Sequence, residues 1–368
     1  MKEKLKEIAE ITMGQSPSSS FYNDRQEGIP FLQGCTTFGR LYPTYDTWTT
    51  SFNKLAKPGD TLFTVRAPVG DVNLCQTDTA IGRGIASIRA RGVDSRYLFY
   101  LLEANKGNFA SSSSGTIYES INKDKLGDVV LDVHSVADQQ HIVGVIGSVD
   151  DLIEKDEQIL ESMIKLIDGI YSRCEEGKRK IPLRQAFQIS IGRTPPTKES
   201  QWFSDSEQNS MSWLSIKDMD TSKIYQMETS QFLTSNAIEH FNIPIVKAGD
   251  VLLSFKLTVG RVLLAGRDMV TNEAIACFKG PAVLRNYLYC FLKRCDFLSE
   301  GEDTSSIGHA VNSTIIKNFL FPMPSQETLK RFNDKTVPLF DKTLETQKEV
   351  EKLNGVKKAL LHRYFGSN

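Results

Sequence analysis

The sequence has few of the residues from which metal centres and disulfide frameworks are built. Among 368 residues there are five histidines, scattered along the chain, and six cysteines without a C-x-x-C pair. Neither a zinc site nor a disulfide framework is indicated. We therefore expect no metal, and reduced, mostly buried thiols at Cys35, Cys75, Cys174, Cys277, Cys290 and Cys295.

Motifs for nucleotide binding and catalysis are also missing. There is no G-x-x-x-x-G-K-[ST] loop, no G-x-G-x-x-G, no H-E-x-x-H and no G-x-S-x-G. The glycine-rich loop and prolyl-prolyl-aromatic tetrapeptide of adenine methyltransferases are absent, and Pro195-Pro196 is interpreted as a turn. Asp150-Asp151 is interpreted as part of a solvated acidic helix face. We predict no catalytic residue, no cofactor and no enzyme activity.

Long apolar runs and an excess of positive charge are lacking too. Met1–Glu10 is charged and helical in pattern, and no apolar run approaches membrane-spanning length, so we expect a cytoplasmic protein without a membrane partner. Lys and Arg number 44 against 45 Asp and Glu, a net charge of -1. This balance argues against a simple electrostatic nucleic-acid binder, although residues 80–127 carry seven basic and four acidic side chains.

What the sequence does contain is an internal repeat. The spacing of Leu5, Ile11, Gly14, Ser16 and Pro17 recurs at Leu183, Ile189, Gly192, Thr194 and Pro195, 178 residues later. Residues 57–70 (KPGDTLFTVRAPVG) recur as residues 247–260 (KAGDVLLSFKLTVG), at an offset of 190 that persists to Tyr97-Leu98 and Tyr287-Leu288. The chain is therefore predicted to hold two similar domains.

Each half has the pattern of an α+β domain. The Gly-Asp pairs at 59–60 and 249–250 predict turns that precede strands at 61–65 and 251–255. Short helices are predicted at 97–104 and 287–293, and flexible loops at 111–115 and 303–306.

A long helix is predicted after each half. In the first, apolar residues fill heptad positions a and d, with a further row at e. The a and d residues are Ile142, Val145, Val149, Leu152, Ile159, Met163, Leu166 and Ile170, and the e row is Ile146, Ile153, Leu160 and Ile167. The second pattern is looser, and Pro338 is expected to kink or interrupt it. Residues 137–176 carry a net charge of -7 and residues 326–364 one of +3, which favours an antiparallel coiled-coil pair.

These patterns predict a fold class and four segments. The fold is α+β, with two similar recognition domains separated by two long antiparallel coiled-coil helices and related by a pseudo-twofold repeat. The segments are 1–135 (first domain), 136–177 (first spacer helix), 178–324 (second domain) and 325–368 (second spacer helix). Helices of this length span roughly 50 to 60 Å, a scale that suits a long, quasi-symmetric ligand such as DNA.

The order of these parts resembles the specificity subunits of type I restriction-modification systems. The likeness rests on residues 5–17, the Gly-Asp turn and following Arg66-x-x-x-Gly70, Ser114-Gly115-Thr116 leading to Ile121-Asn122-Lys123, and Gln139-Gln140 opening a long helix, all duplicated. It implies that each domain reads one part of a split site in double-stranded DNA. It also implies two modification (adenine methyltransferase) subunits as partners, bound by the helices, which set the gap, and restriction (ATP-dependent translocase and endonuclease) subunits. The second half departs from the pattern at residues 325–329 and at Pro338.

Polar and cationic loop residues are the candidates for DNA contact, because base edges and phosphates are read by such side chains. In the first domain they are Gln33, Thr36, Thr37, Arg40, Arg66, Arg83, Ser114, Thr116 and Tyr118. In the second they are Ser215, Lys217, Lys256, Arg261, Asn272, Ser306, His309 and Asn312. Arg66 and Arg83 could instead pair with acidic neighbours, and His309 could be an ordinary surface or core histidine. Because the domains differ at these positions, the half-sites are expected to differ in sequence.

Two other functions remain open from the residues alone. One is a scaffold or adaptor that binds only proteins through its helices, which would fit the neutral charge. The other is a stand-alone nuclease or methyltransferase with an unrecognised active site.

Overall fold

The chain folds into two units. A computed structural model describes residues 1–110, 120–174, 177, 179–297 and 312–366. The first unit is Met1–Ile153 with Lys352–Asn368, and the second is Glu154–Glu351. Each unit therefore contains one copy of the repeat together with part of both long helices.

The first unit is built from short strands and helices. They are β1 (Lys2–Lys4), α1 (Leu5–Ile8), β2 (Ala9–Met13), β3 (Tyr22–Asn23), β4 (Ile29–Leu32), β5 (Trp48–Thr49), β6 (Leu55–Ala56), β7 (Thr61–Thr64), β8 (Val72–Leu74), β9 (Thr79–Ile81), β10 (Ile85–Ala90), α2 (Ser95–Ala104), α3 (Lys106–Ala110), α4 (Lys123–Gly127) and β11 (Val130–Asp132). The strands form sheets in the orders β1-β11, β2-β10-β7-β8 and β3-β5-β4-β9-β6.

The prediction of a helix over the first ten residues is wrong. Lys2–Lys4 is a strand that pairs antiparallel with Val130–Asp132, α1 is a single turn, and Ala9–Met13 pairs with β10. The three-residue spacing of Leu5, Ile8 and Ile11 fits a single helical turn followed by a strand as well as it fits a longer helix. Pairing with strands more than 70 residues away decides between them.

The first long helix follows β11, and the second unit repeats the plan. The long helix is α5 (Val136–Tyr171), and after it come β12 (Arg179–Pro182), α6 (Leu183–Ala186), β13 (Gln188–Ile191), β14 (Phe203–Ser204), β15 (Ser210–Leu214), β16 (Tyr225–Gln226), β17 (Gln231–Thr234), α7 (Ser235–His240), β18 (Ile245–Val246), β19 (Val251–Ser254), β20 (Val262–Ala265), β21 (Met269–Thr271), β22 (Ile275–Lys279), α8 (Ala282–Leu292), α9 (Ser313–Asn318), β23 (Leu320–Met323) and α10 (Gln326–Phe365). The sheet orders are β12-β23, β13-β22-β19-β20-β16 and β14-β17-β15-β21-β18.

The two units share their central strands, as the repeat predicts. The strand order β2-β10-β7-β8 of the first unit corresponds to β13-β22-β19-β20 of the second. The turns at Gly59 and Gly249 both have a φ of +87°, a left-handed backbone that favours glycine. The offset between the two copies of the repeat grows from 178 to 190 residues. Most of the added residues of the second unit lie before β18, in the segment that contains α7.

Each unit contains an apolar core against which segments of the long helices pack. In the first unit, Ile142 and Ile146 are buried with Phe63, Tyr97 and other residues of the domain. In the second, Ile167, Phe332 and Phe340 belong to the corresponding core. Helix packing thus extends the core of each domain.

Within each unit the two helix segments run antiparallel. In the first unit, His141 Nε2 lies 3.3 Å from the Tyr364 hydroxyl and Asp150 contacts Lys357. In the second, Met163 accepts from the Thr343 hydroxyl at 3.8 Å and the ring of Tyr171 lies 6.0 Å from that of Phe332. As the position on α5 rises, that on α10 falls.

Two details of the helix predictions are wrong. Pro338 does not interrupt α10, which is continuous from Gln326 to Phe365; the buried neighbours Phe332 and Phe340 anchor the helix on both sides of the proline. Part of the predicted a/d seam is exposed, since Leu152, Ile159 and Leu166 are 51%, 46% and 52% exposed. The e row supplies much of the packed face: Ile146, Ile153 and Ile167 are buried, and Ile146 and Ile167 each belong to the core of their own unit.

Candidate nucleic-acid interface

Four loops meet at one end of the strands of the first unit. We call residues 14–16, 33–34, 66–70 and 82–84 the first loop cluster. Backbone hydrogen bonds tie them together: Gly14 N donates to Ile85 O (2.9 Å), Gly84 N to Gln33 O (3.1 Å) and Val65 N to Gly84 O (2.9 Å). The hydroxyl of Ser16 accepts from the backbone amide of Arg83 at 3.1 Å. Residues far apart in sequence are thus held as one surface.

Glycines allow these loops to approach so closely. A Cβ on Gly14 would lie 2.2 Å from Gly82 O, and one on Gly84 would lie 2.4 Å from Gln33 O. Both contacts are with backbone atoms, which cannot rotate away. The two glycines of the Gly82-Arg83-Gly84 triplet therefore allow close contacts with neighbouring backbone on both sides of Arg83.

The second unit has a matching arrangement. We call residues 192–194, 215–217, 256–260 and 272–274 the second loop cluster. Arg193 N donates to Thr271 O (2.9 Å), Asn272 N to Leu214 O (3.0 Å) and Phe255 N to Ala274 O (2.9 Å). A Cβ on Gly192 would lie 2.1 Å from Thr271 O. The repeat thus preserves the convergence of the loops as well as the strands.

Several of the predicted first-domain residues lie in or beside the first loop cluster. Gln33, Thr36, Arg66 and Arg83 are exposed, and Thr37 is half-buried. Neither Arg66 nor Arg83 forms an ion pair within the described part of the chain. Pairing with described acidic neighbours, the other interpretation of these two arginines, therefore does not occur.

Arg40 lies elsewhere and has a structural contact. Its guanidinium forms an ion pair with the carboxylate of Asp150 on α5, and also donates to the backbone oxygen of Asp150 at 3.2 Å. Asp150 is 0% exposed. The solvated-face interpretation of Asp150 is therefore wrong, while Asp151 is exposed and paired with Arg96. The position of Arg40 serves the attachment of helix to domain.

The predicted residues of the second unit also include both exposed cations and side chains that already have hydrogen-bond partners within the fold. Lys217 and Lys256 are exposed, and no ion pair joins either of them to a described residue. Ser215 is occupied by a hydrogen bond to Asp218 (2.8 Å). Arg261 donates to the carbonyls of Ile216 and Met219 (2.9 and 3.0 Å). The carboxamide of Asn272 accepts from Ala274 N at 3.1 Å.

The remaining candidates are residues that precede α4 and α9 in the sequence. Asn312 caps α9, where its side chain accepts from the amides of Thr314 and Ile315 (2.9 and 3.0 Å). Ser114, Thr116, Tyr118, Ser306 and His309, with the predicted loops at 111–115 and 303–306, lie outside the described residues. Ser120, the first described residue after the gap, forms an antiparallel bridge with Arg66.

Sequence reasoning missed the loop after the first strand of each central sheet. Ser16 contacts Arg83, and its counterpart Thr194 hydrogen-bonds to Glu273. Arg193 lies in the same loop and donates to the Phe241 carbonyl at 2.6 Å. The signal was present, because Gly-x-Ser-Pro and Gly-x-Thr-Pro are part of the repeat.

The described residues can be checked for metal-ligand clusters and reactive thiols. They include no group of three His, Cys, Asp or Glu side chains that could hold a metal ion. All six cysteines are free; three of them are buried and three half-buried. Burial raises the pKa of the Cys75 thiol to about 11 and that of Cys277 to about 12, so both are protonated at neutral pH. None of the described helices is both long and apolar enough to span a membrane.

Comparison with known proteins gives consistent results. Residues 1–163 and 175–354 match the model of the type I restriction modification DNA specificity domain. A protein of Methanocaldococcus jannaschii described as the type I restriction enzyme MjaX specificity subunit is 37% identical over 173 residues, 46% of this chain and 41% of its own length. The MjaIX specificity subunit of the same organism is 22% identical over 98% of this chain and 91% of its own.

A solved structure shares the fold. It is the S subunit of a type I restriction-modification system from M. genitalium, 13% identical in sequence. The match covers 100% of this chain and 96% of that one, with a TM-score of 0.62. At this identity the likeness concerns the α+β architecture of two similar domains and two long helices.

Proposed function

Since the chain belongs to the family of type I restriction-modification specificity subunits, whose role is recognition of the DNA target and not catalysis, we propose that it reads a two-part double-stranded target, one half-site with each loop cluster. The observation that carries this proposal is the repetition of the loop cluster. Arg66 and Arg83 in the first, and Lys217 and Lys256 in the second, are exposed cations that form no ion pair with described residues. Such side chains are suited to base edges and phosphates.

The half-sites differ in sequence. At corresponding positions the first cluster has Arg66 and Arg83, and the second has Lys256 and Glu273. Arginine offers a planar pair of donors that matches guanine, whereas lysine is a point charge and glutamate only accepts, as from cytosine N4. The two clusters therefore offer different hydrogen-bonding patterns to the bases.

The test is the methylated motif of cells that carry variants confined to one cluster. Arg66→Ala with Arg83→Ala should relax only the first half-site, and Lys217→Ala with Lys256→Ala only the second. A base contact contributes about 1 to 3 kcal/mol to discrimination, so the relaxed positions should accept several bases. Arg25→Ala is a matched control, because Arg25 is exposed and pairs with Glu27 outside the cluster. Variants of one cluster that changed both half-sites would contradict the proposal.

We propose further that modification (methyltransferase) subunits bind the exposed apolar face of α5. In the second unit this face consists of Ile159 and Leu166 beside a shallow groove of about 520 Å³, which is also lined by the buried Met163 and by Lys155, Gln158 and Ser162. Ile159 and Leu166 each keep about half of their surface in solvent, which favours a protein partner. Two modification subunits and the restriction subunits complete the proposed complex.

Co-purification with the modification subunits tests this docking face. Ile159→Ser with Leu166→Ser should abolish or strongly weaken the complex while leaving the unfolding free energy of the chain nearly unchanged. Leu320→Ser is the control, since Leu320 is equally exposed but lies on β23. A complex unaffected by the double variant would place the modification subunits elsewhere.

The affinity for DNA should depend on assembly with the modification subunits. The chain has a net charge of -1, so by itself it releases few counterions and should bind DNA weakly, whereas the complex should bind tightly with a steep dependence on salt. Titration of a labelled duplex at several salt concentrations measures both. Tight, specific binding by the isolated chain would contradict this expectation.

The long helices are proposed to set the gap between the half-sites. Four residues inserted after Glu157, with four after Lys348 to keep the antiparallel pairing, would add about 6 Å of helix. The methylated motif should then show a longer gap and unchanged half-sites. An unchanged gap would remove the spacer role.

A further inference from the structure

One leucine of the second loop cluster is displayed almost completely to solvent. Leu257 lies in the turn that joins β19 to β20, and 94% of its surface is exposed. Other exposed apolar residues of this unit, such as Val283 and Leu320, keep only about half of their surface in solvent. Leu257 also has a φ of +61°, a left-handed backbone that a leucine rarely adopts. Both features oppose the ordinary preference of leucine, so they point to a ligand.

A buried hydroxyl fixes the turn that displays Leu257. Ser254 is fully buried, and its hydroxyl donates to Thr258 O and accepts from Arg261 N at 3.0 Å. The backbone of Ser254 pairs with Gly260 N and Arg261 O, each at 2.9 Å. The turn is thus held on both sides of Leu257. A side chain presented by a preorganised turn loses less conformational entropy when it binds.

The first unit has a turn of the same length with matching hydrogen bonds, but its backbone does not adopt the left-handed conformation at the position of Leu257. There the hydroxyl of Thr64 donates to Pro68 O (2.7 Å) and accepts from Asp71 N (2.8 Å). The residue at the position of Leu257 is Ala67. The hydrogen bonds of the turn therefore recur in both units, whereas the left-handed backbone at this position and the leucine belong only to the second.

We propose that Leu257 makes an apolar contact with a base of the second half-site and is a specificity-determining residue there. This inference rests on the proposed function. Its neighbour Lys256 is exposed on the same turn, and Phe255 N donates to Ala274 O beside Asn272, so Leu257 extends the polar second loop cluster. DNA presents two apolar features to such a side chain, the thymine methyl group and the faces of bases at an opened step.

The experiment measures binding of a duplex that carries the methylated motif by the complex of the full chain with its modification subunits. Leu257→Ala should weaken binding about tenfold, as expected for a lost base contact. Leu257→Asn should weaken it equally, although asparagine tolerates the left-handed backbone better than leucine. Leu257→Met, which keeps an apolar side chain, should bind within about threefold of the wild type. Leu320→Ala controls for the loss of any exposed leucine.

Two duplex series identify the feature that Leu257 contacts. Replacement of each second-half-site thymine by uracil removes one methyl group; a loss of affinity seen with the wild type but not with Leu257→Ala assigns the methyl contact. Fluorescence of 2-aminopurine placed at each step, raised by the wild type but not by Leu257→Ala, assigns contact with a base face.

Failure of this inference can be told apart from failure of the proposed function. A wild-type complex without sequence-specific binding would overturn the proposed function, and this inference with it. Specific binding by the wild type, with unchanged affinity and motif for Leu257→Ala and Leu257→Asn, would overturn this inference alone.

Discussion

The two units hold their helices to their domains by different means. In the first, the fully buried carboxylate of Asp150 on α5 receives the guanidinium of Arg40, the hydroxyl of Tyr100 (2.8 Å) and the ammonium of Lys357 on α10 (3.2 Å). In the second, Gln347 on α10 donates to Tyr225 O (3.0 Å) and accepts from Tyr225 N (3.1 Å), and the Tyr225 hydroxyl donates to the Phe340 carbonyl (3.3 Å). The buried contacts of the first attachment are therefore ionic and those of the second are neutral, although a partly exposed ion pair between Lys293 and Asp168 on α5 (3.1 Å) adds to the second.

The same topology thus accommodates two kinds of helix attachment. They should differ in how strongly the unfolding free energy responds to the loss of one side chain. Burial raises the pKa of Glu103, and Lys357, whose ammonium lies 3.1 Å from its carboxylate, opposes that rise. A buried ionic group is stable only while every charge has its partner, whereas a neutral pair leaves uncharged groups when it is broken. The first unit should therefore respond more strongly to the loss of one side chain.

The largest expected effect is that of Asp150→Ala. It leaves Arg40 and Lys357 without their shared carboxylate in a buried site, so the unfolding free energy should fall by about 3 to 5 kcal/mol. Urea denaturation measures this. Asp151→Ala is the matched control, because Asp151 is exposed and its pairing with Arg96 should contribute only about 0 to 1 kcal/mol. Equal losses of unfolding free energy in the two variants would show that the buried ion pairs contribute no more to stability than the exposed one.

The neutral attachment should be less sensitive. Gln347→Ala removes two hydrogen bonds to the backbone of Tyr225 and leaves its amide and carbonyl unsatisfied, which should cost about 1 to 3 kcal/mol. The same denaturation experiment applies. A loss larger than that of Asp150→Ala would reverse the comparison.

The Gly-Asp turns give a third comparison, through pH. In the first unit Arg89 binds Asp60 through two nitrogens (2.8 and 2.9 Å), and Ser87 adds a hydrogen bond of 2.6 Å. Burial would raise the pKa of Asp60, but hydrogen bonds from Arg89, the Lys57 amide and Ser87 together hold it below its ordinary value. In the second unit Asp250 has the thiol of Cys277 at the position of Ser87.

Arg89→Met should therefore make the stability of the first unit lower at neutral pH but less sensitive to acid than that of the wild type. The stability from ionised Asp60 is present above its unfolded-state pKa of about 3.9 and is lost as the pH falls through the lower folded-state value. Without Arg89, burial moves the folded-state pKa of Asp60 upward, so this acid-dependent stability is reduced. The deficit of the variant is therefore largest at pH 7 and shrinks as the pH falls and Asp60 is protonated in both proteins. At pH 7 the cost should be only about 1 kcal/mol, because Arg89 is half-exposed. Unfolding free energies at about pH 3, 5 and 7 measure this; a deficit that stayed constant or grew towards pH 3 would contradict it.

The smallest effect concerns a feature that both units share. Lys57 pairs with Asp78 (2.7 Å) and Lys247 with Asp268 (2.6 Å), and all four side chains are exposed. Lys57→Met and Lys247→Met should each change stability by about 0 to 1 kcal/mol. A clear difference between the two in denaturation would show that the units differ even where their contacts coincide.

Much of the fold could be predicted from local patterns. The Gly-Asp turns, the strands β7 and β19, and the two long helices follow from glycine conformation and from periodicity, which act within a few residues. The candidate loops before β5, after β7 and between β9 and β10 could be located for the same reason, once the repeat had aligned one half with the other. Periodicity alone could not exclude a helix over Met1–Glu10, because strand pairing with β10 and β11 decided it.

The sequence by itself determined the duplication, the α+β class, the two long helices and the lack of catalytic and metal-binding motifs, because these are properties of residue order and composition. Only the tertiary structure decided which polar residues are available to a ligand. Arg40 and Arg83 are both loop arginines, yet one is paired with the buried Asp150, 110 positions away, and the other is exposed beside Ser16. Burial and ion pairing depend on neighbours brought from distant parts of the chain, and those neighbours are set when the strands and helices pack.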